Sequence, residues 1–145
     1  MTRTASQTLR IARYLWALPC TVLGLLFVPG HVLGGSLRVA HGVIEVANPL
    51  SRIVLRLLVP LKGGASAMTL GHVIVGRDTA SLERARGHEK VHVRQYERWG
   101  VFLLPAYLLS SVWALLRGKH FYYANRFEAE AFRVTGPHKD SGRPA

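Results

Sequence analysis

Cysteine is almost absent from this sequence. The single one among 145 residues is Cys20, which lies within an apolar run. One cysteine cannot form an internal disulfide, and it cannot supply a metal site built on several thiolates. The sequence therefore predicts neither feature, and we expect Cys20 to be a small buried residue.

Acidic residues are also scarce. Asp and Glu number 8 against 19 Lys and Arg, which gives a formal net charge of +11, while hydrophobic residues make up 49% of the chain. This composition is typical of membrane-associated proteins, so membrane lipid is an expected partner. Nucleic-acid-binding proteins are basic too, but they concentrate the charge on one element with interleaved aromatic residues. Because the arginines here are scattered, no nucleic-acid partner is expected.

A long uncharged run lies near the N-terminus, over residues 14–30, and follows Arg3, Arg10 and Arg13. Residues 1–34 are therefore predicted to be a membrane anchor or a signal segment. Cleavage near VLGGS would release a secreted protein, whereas retention would leave a single N-terminal anchor. We favour the retained anchor, because the small-residue pattern of a cleavage site is weak. The three arginines then place the N-terminus in the cytoplasm.

Short extended segments follow, at the start of a single predicted domain over residues 35–135. Alternating residues on either side of His41-Gly42 predict a β-hairpin, and residues 52–61 and 65–78 also look extended. We therefore expect a small antiparallel sheet of about three or four strands.

Helices are predicted for the second half of this domain. The first should begin at Asp78, Thr79 or Ser81, which are good N-cap residues, and end at Gly100. A last helix is expected within FYYANRFEAEAFR, and residues 136–145 should form a polar, disordered tail. The predicted fold class is α+β, with a helix that carries the motif described next and a C-terminal helix.

The stretch HEKVH occupies residues 88–92, on the first of these helices. Residues four apart share a helix face, so His88 and His92 can present two imidazoles to one ion at about 2.0 to 2.1 Å. Glu89 is rotated by about 100° and reaches a metal-bound water instead of the metal. The pattern predicts half of a catalytic Zn²⁺ site. Glu89 is its general base, which activates the water for attack on a carbonyl.

A third protein ligand is needed to complete such a site. The candidates with suitable chemistry are His72, Glu97, His120, Glu128 and Glu130. Glu97 points away from the same helix in another direction. Glu128 and Glu130 are two residues apart on a predicted helix, so they differ by about 200° in direction and only one can face the metal.

The stretches GHEKVHVRQYERWG and NRFEAEAF together resemble the gluzincin branch of zinc metallopeptidases, which carries H-E-x-x-H and a downstream Glu. EAEA is similar to the first four places of the Glu-x-x-Ala-Asp motif of membrane-embedded zinc proteases, and this match implies Glu128 as the third ligand. TLGHVIVGRD and HEKVHVRQ are similar to a group of small bacterial proteins with a Thr-x-Gly strand before the motif helix. The resemblance covers Ala67 to Phe132, about half of the chain.

This resemblance implies a zincin-like fold, in which the strand before the helix lies alongside a peptide or protein substrate. It implies hydrolysis of peptide bonds by a membrane-associated enzyme. The sequence departs from the family pattern at Lys90, where an uncharged residue is usual, and at Arg126 and Phe132. Lys90 favours the alternative, a non-catalytic membrane protein that retains the fold as a structural or interaction module.

Residues 101–116 form a second uncharged run. If they crossed the bilayer, His92 and Glu128 would lie on opposite sides, about 24 Å apart at a rise of 1.5 Å per residue. The metal hypothesis therefore predicts one anchor, with this run forming a buried or membrane-dipping helix that returns the chain to the site.

Four other polar residues have predicted roles. Gln95 lies on the same side of the helix as His88 and His92, and could orient a ligand. Asn125 is expected to cap the last helix. Tyr122 and Tyr123 are expected to pack in the core, with donation to an oxyanion as the alternative for one of them.

Overall fold

The computed structural model describes residues 2–136 of the chain, which contain five α-helices and four β-strands. The helices are α1 (Thr2–Leu25), α2 (Pro49–Leu58), α3 (Thr79–Trp99), α4 (Leu103–Leu116) and α5 (Arg126–Thr135); the strands are β1 (Ser36–Ala40), β2 (Val43–Ala47), β3 (Ala67–Leu70) and β4 (Val73–Gly76). Short 3-10 helices cover Val28–Leu33 and Gly100–Phe102. The predicted α+β class is confirmed. The predicted disordered tail lies outside the described residues except for Gly136.

The four strands form one sheet in the order β1-β2-β4-β3. β1 and β2 are the predicted hairpin, and their turn places His41 and Gly42 at φ angles of 53° and 78°. β3 and β4 are also antiparallel, but β2 and β4 run parallel. The prediction of a wholly antiparallel sheet is therefore wrong. A parallel neighbour requires a crossover connection, and the chain between β2 and β4 supplies one.

Most of the segment 52–61, predicted to be extended, lies in α2. Asn48 and Ser51 form a reciprocal capping box, and Pro49 occupies the first turn. The β-branched and leucine residues of this segment favoured a strand, but the capping signals before it begin a helix. The helix then buries Leu55 against the sheet.

The sheet lies between α2 and α3. On one face, Leu55 of α2 packs on Val46, Val73 and Val75, and on the other Leu82 and Val93 of α3 pack on a second set of sheet residues. That second set comprises Val43, Ala47 and Ile74. Every residue of β4 is buried, as expected for a central strand covered on both faces. This packing holds α3 firmly against the sheet.

The N-terminal helix α1 packs along α3. Ala17 and Cys20 are fully buried, and they form a cluster with Tyr96, Leu103 and Phe127. Cys20 is thus the small buried residue that the sequence predicted. The Tyr14 hydroxyl donates to the Gly42 carbonyl oxygen, which also ties α1 to the β1–β2 turn.

The opposite side of α1 is apolar and exposed. The large exposed apolar residues of α1 are Leu9, Ile11, Leu15, Trp16, Leu18, Val22, Leu23 and Leu25. By length and composition, two helical segments of the described chain could cross a membrane, Ser6–Leu33 and Thr79–Leu116. The second is interrupted at Gly100, where φ is 56°. Its apolar part, α4, has 14 residues and is about 21 Å long, shorter than a bilayer core of about 30 Å.

Candidate metal centre

Helix α3 carries the HEKVH segment and is fixed at both ends. The Asp78 side chain accepts the Ser81 N–H at 2.7 Å and caps the N-terminus, so Asp78 is the cap among the three predicted candidates. This hydrogen bond is the largest of the causes that lower the pKa of Asp78. At the other end the chain turns at Gly100, where a side chain would collide with Trp16 of α1. The helix is therefore a rigid support for the residues on its inner face.

The structure brings His88, His92 and Glu128 together. One ligand atom from each lies within 4.8 Å of the other two, and all three residues are buried. His88 and His92 come from successive turns of α3, whereas Glu128 comes from the first turns of α5, which packs on α3. Two helices thus supply one cluster, in which His88 and Glu128 are 40 residues apart in sequence.

The spacing of these atoms fits a single tetrahedral ion. The two Nε2 atoms of His88 and His92 are 3.2 Å apart, Glu128 Oε2 lies 2.9 Å from the first, and Glu128 Oε1 lies 3.4 Å from the second. Ligand bonds of about 2.0 to 2.1 Å at tetrahedral angles place the ligand atoms about 3.3 to 3.4 Å from one another. Two imidazoles and one carboxylate are also a donor set that catalytic zinc uses.

Gln95 sets the tautomer of His92. Its side-chain Nε2 donates to the Phe127 carbonyl oxygen at 3.0 Å and to the Glu130 carboxylate at 2.9 Å, so its Oε1 is left to face His92. His92 Nδ1 lies 2.8 Å from that oxygen and must be the donor. In neutral His92 the lone pair therefore sits on Nε2, the atom that faces His88 and Glu128.

The other candidates for the third ligand are engaged elsewhere. Glu130 accepts from Arg98 at 2.6 Å on the outer side of α5. His72 is stacked on Tyr14 at 4.0 Å, and its Nε2 lies 3.3 Å from a carboxylate oxygen of Glu97. His120 is exposed and lies outside the cluster, in the loop before α5. Of the five candidates, only Glu128 reaches the imidazole pair.

A tyrosine on α4 completes the surroundings of Glu128, and sequence analysis did not find it. The Tyr107 hydroxyl donates to Glu128 Oε1 at 2.6 Å, while Glu128 Oε2 faces His88. Burial and the nearby carboxylate raise the pKa of Tyr107, so its hydroxyl stays protonated and remains a donor. The one tyrosine of the uncharged run 101–116 was the available signal. Nothing local in the sequence indicates which group that phenol contacts.

Asn125 links α5 to α4. Its Oδ1 accepts the Phe127 N–H at 2.9 Å, so it caps α5 as predicted. Its Nδ2 donates to the Tyr107 carbonyl oxygen at 2.9 Å and to the Ser111 hydroxyl at 2.8 Å. These bonds hold α5 against α4 in the position that brings Glu128 next to His88 and His92.

Glu89 is buried beside this cluster without joining it. Its Oε2 accepts the Thr69 hydroxyl of β3 at 2.7 Å. Together with His88 it lines a cleft of about 490 Å³, and Tyr122, Tyr123 and Phe132 line the cleft as well. Tyr122 and Tyr123 therefore face the cleft, although they were expected to pack in the core.

Lys90 does not enter the site. It is only half-buried, and it is not among the residues that line the cleft. The full desolvation cost of a completely buried ammonium therefore does not apply to Lys90.

Comparisons with models of protein families, with curated proteins and with solved structures gave no match to this chain. The resemblance to zinc metallopeptidases therefore stays a prediction from the sequence.

The cluster holds a proton in its metal-free form. Burial disfavours the charged form of His92, but the carboxylates of Glu128 and Glu89 outweigh that effect and raise its pKa to about 9. Burial also disfavours the charged form of Glu128 and so tends to raise its pKa. The two imidazoles outweigh this effect and hold the pKa of this carboxyl well below its usual value. At neutral pH the metal-free site therefore contains an imidazolium paired with a carboxylate.

Proposed function

We propose that this protein is a membrane-associated, zinc-dependent metallopeptidase with a zincin-like fold. The observation that carries the proposal is the convergence of His88, His92 and Glu128 at distances suited to one ion. A buried carboxylate, Glu89, adjoins this cluster in the wall of an open cleft. A base next to a metal position that solvent can reach is what hydrolysis requires and what a purely structural metal site does not need.

Zinc held by these three residues would supply an acidified water and would polarise the carbonyl of a bound peptide. Glu89 accepts the proton from the water and delivers it to the amine nitrogen of the leaving group. Thr69 orients the Glu89 carboxylate through its hydroxyl. Gln95 and Tyr107 hold the ligands in the geometry described above.

The edge strand β3 offers a place for an extended peptide. The Arg77 N–H donates to the Ser66 carbonyl oxygen, so the residues that alternate with Ser66 direct their N–H and C=O groups away from β4. Ala67 and Thr69 are the residues whose backbone groups point away from β4. Since Ser66 and Ala67 line the cleft, a peptide paired with this edge would pass His88 and Glu89. A peptide or protein is therefore the proposed substrate.

The exposed apolar sides of α1 and α4 support attachment to lipid. On α4 the exposed residues include Leu108, Leu109, Val112 and Trp113. Exposed apolar area of this extent is unusual for a soluble protein. We propose that α1 is the retained anchor, because its inner side belongs to the core around Tyr96 and its loss would expose that core. Lipid is then one partner, and the catalytic domain rests against the membrane.

Metal analysis alongside a peptidase assay tests the proposal. Purified protein should bind one Zn²⁺ per chain and hydrolyse unstructured peptides, and a chelator should abolish both properties. His88→Ala, His92→Ala and Glu128→Ala should each lose the metal, whereas His120→Ala should keep it. If the protein binds zinc but turns over no peptide, the non-catalytic alternative replaces the enzyme. If His120→Ala loses zinc and Glu128→Ala keeps it, the proposed ligand set is wrong.

Zinc affinity should depend on pH with a defined sign. Below its pKa of about 9, His92 must lose its proton before it can bind zinc, whereas Glu128 is already ionised and contributes no change. Apparent affinity should therefore rise about tenfold per pH unit between pH 7 and 9 and level off above that. Calorimetry in buffers of different ionisation enthalpy should show about one proton released per zinc at pH 7. A pH-independent affinity would contradict the assignment of His92.

Tyr107→Phe should weaken zinc binding by about 10- to 100-fold, because it removes the hydrogen bond that orients Glu128. Competition with a chromophoric chelator measures this change. Tyr14→Phe is the matched control, since it removes a hydroxyl that contacts Gly42 at a distance from the cluster. Equal zinc affinities for the two variants would show that the Tyr107 hydroxyl does not orient Glu128.

The anchor proposal predicts that the mature chain keeps its N-terminal helix. Peptides that contain Tyr14 and Trp16 should be found by mass spectrometry of the protein extracted from the membrane fraction. A secreted chain that begins near Gly35 would instead support cleavage.

A further inference from the structure

The exposed apolar sides of α1 and α4 are continuous with each other. Trp16 of α1 and Phe102, just before α4, are both exposed, and their rings lie 5.9 Å apart. Beneath this contact, Leu103 belongs to the same buried cluster as Ala17 and Cys20. The two helices therefore present one joint apolar surface, larger than a soluble protein usually exposes.

The inner side of α1 is tied to polar groups of the domain. The Thr21 hydroxyl accepts the His72 N–H at 3.0 Å, and the Arg13 guanidinium lies 3.7 Å from the Glu97 carboxylate. The Tyr14 hydroxyl holds the β1–β2 turn. If α1 crossed a bilayer, these partners would enter the hydrocarbon, where charged side chains and turn backbone are costly. We therefore expect α1 to contact lipid with its outer side only.

Helix α4 is one-sided in the same way. On its inner side, the Ser110 hydroxyl accepts the Arg126 N–H at 2.9 Å, and the Ser111 hydroxyl accepts from Asn125. The exposed residues, among them Leu109, lie on the opposite side of the helix. Because α4 is also too short to span, it can bury its outer side in lipid only by lying along the membrane.

Cations without neighbouring acids flank this surface in the sequence. The chain has no Asp or Glu in residues 1–44 or 98–127. At the end of α4 the Arg117 guanidinium lies 4.9 Å from the centre of the Trp113 ring, and Lys119 is exposed two residues later. Trp beside a cation is typical of a membrane interface. A second copy of the chain would bring the same cations to the contact, whereas anionic phospholipid supplies the opposite charge.

We propose that α1 and α4 lie in the plane of the membrane, within one leaflet, and that Arg117 and Lys119 bind the headgroups of anionic phospholipids. This inference rests on the membrane association proposed above and specifies its geometry and its lipid. Helices of this kind lie about 5 to 10 Å deep, at the boundary between headgroups and acyl chains. His120 and Tyr122 follow Lys119 and line the cleft, so the cleft lies close to the headgroups.

Cysteine accessibility in membrane vesicles tests the geometry. Ser6→Cys places a thiol at an exposed position near the start of α1, and Val39→Cys places one on β1, beyond the end of α1. Vesicles of both orientations, prepared from cells that make the full chain, are treated with a membrane-impermeant maleimide. Both thiols should react from the same face. Reaction from opposite faces would show that α1 crosses the membrane and would overturn the proposal. The unmodified chain is the background control, because Cys20 is buried.

Vesicle binding tests the headgroup contact. Full-length protein is titrated with vesicles of phosphatidylcholine, alone or mixed with phosphatidylglycerol, and bound protein is measured by flotation. Arg117→Gln combined with Lys119→Gln should lower affinity for the mixed vesicles about fivefold per charge and leave binding to phosphatidylcholine unchanged. This difference should shrink as salt is raised.

Arg38→Gln combined with Arg133→Gln is the matched control, because it removes two exposed arginines from β1 and α5. Its affinity for the mixed vesicles should stay close to that of the unmodified protein. Equal losses in the two double variants would show a general charge effect and overturn the role of Arg117 and Lys119.

The two proposals fail in different ways. Labelling from opposite faces would remove the in-plane geometry and keep a membrane-associated peptidase. Labelling from the same face in a protein without zinc-dependent peptidase activity would keep this inference and remove the proposed activity. A soluble dimer that does not bind vesicles would show that a second copy covers the surface, which would overturn both this inference and the lipid partner.

Discussion

Replacing Glu89 by glutamine should lower kcat for peptide hydrolysis by about 10²- to 10⁴-fold, the range that general acid–base catalysis contributes. The amide cannot accept the proton of the attacking water at neutral pH. Glutamine keeps the size of the side chain and can still accept the Thr69 hydroxyl, so the cleft should retain its shape. Zinc content should stay at one ion per chain, because Glu89 lies outside the ligand cluster. Steady-state kinetics and metal analysis on one preparation measure both quantities.

Glu83→Gln is the matched control for this experiment. Glu83 lies on the same helix, is exposed and does not line the cleft. Its variant should hydrolyse peptides at the rate of the unmodified protein. If Glu89→Gln retains more than a tenth of the activity, another group is the base and the assignment fails. If the variant loses zinc as well, Glu89 acts on the metal site and the rate alone is not diagnostic.

Arg86→Ala should lower the free energy of unfolding by about 3 to 5 kcal/mol, because it leaves a buried carboxylate without its counter-ion. Glu45 lies on β2 and its side chain is only 1% exposed. Arg86 of α3 donates to both of its carboxylate oxygens, with Nε at 3.0 Å from each. The pair joins α3 to the sheet. Its arginine lies three residues after Glu83 and two residues before His88 on α3. Urea or guanidinium denaturation measures the change.

Two comparisons separate this effect from simple loss of charge. Arg94→Ala removes an exposed arginine from the same helix, and it should change the free energy of unfolding by less than about 0.5 kcal/mol. The double variant Glu45→Leu, Arg86→Met replaces the pair by apolar residues and should recover most of the lost stability. A double variant as unstable as Arg86→Ala would contradict the explanation by an unpaired buried charge.

The elements with local signals were predicted well. The Asp78 cap, the end of α3 at Gly100, the hairpin at His41-Gly42 and the Asn125 cap all depend on residues within a few positions of one another. Such features follow from backbone geometry and from short-range hydrogen bonds, so they can be recognised in sequence. Segment 52–61 was the exception. Its own composition favoured a strand, but the capping box just before it begins a helix.

The sheet order and the surroundings of His88, His92 and Glu128 were beyond local reasoning. The parallel pairing of β2 with β4 depends on how α2 and α3 cover the two faces of the sheet. Contact between Tyr107 and Glu128 depends on where α4 returns the chain. Neither relation has a short-range signature, because each joins segments that meet only when apolar surfaces are buried together.

By itself, the sequence determined that His88 and His92 face the same way, that Glu89 is offset from them, and that the chain is basic and carries a long apolar run near its N-terminus. These properties follow from helical periodicity and composition, which are fixed before any long-range contact forms. Helical periodicity left Glu128 and Glu130 open and the family resemblance implied Glu128, but only the tertiary structure decided that Glu128, and not Glu130, reaches the histidines. The packing of α5 on α3 sets its rotation, and that rotation places one carboxylate inside the protein and directs the other to Arg98.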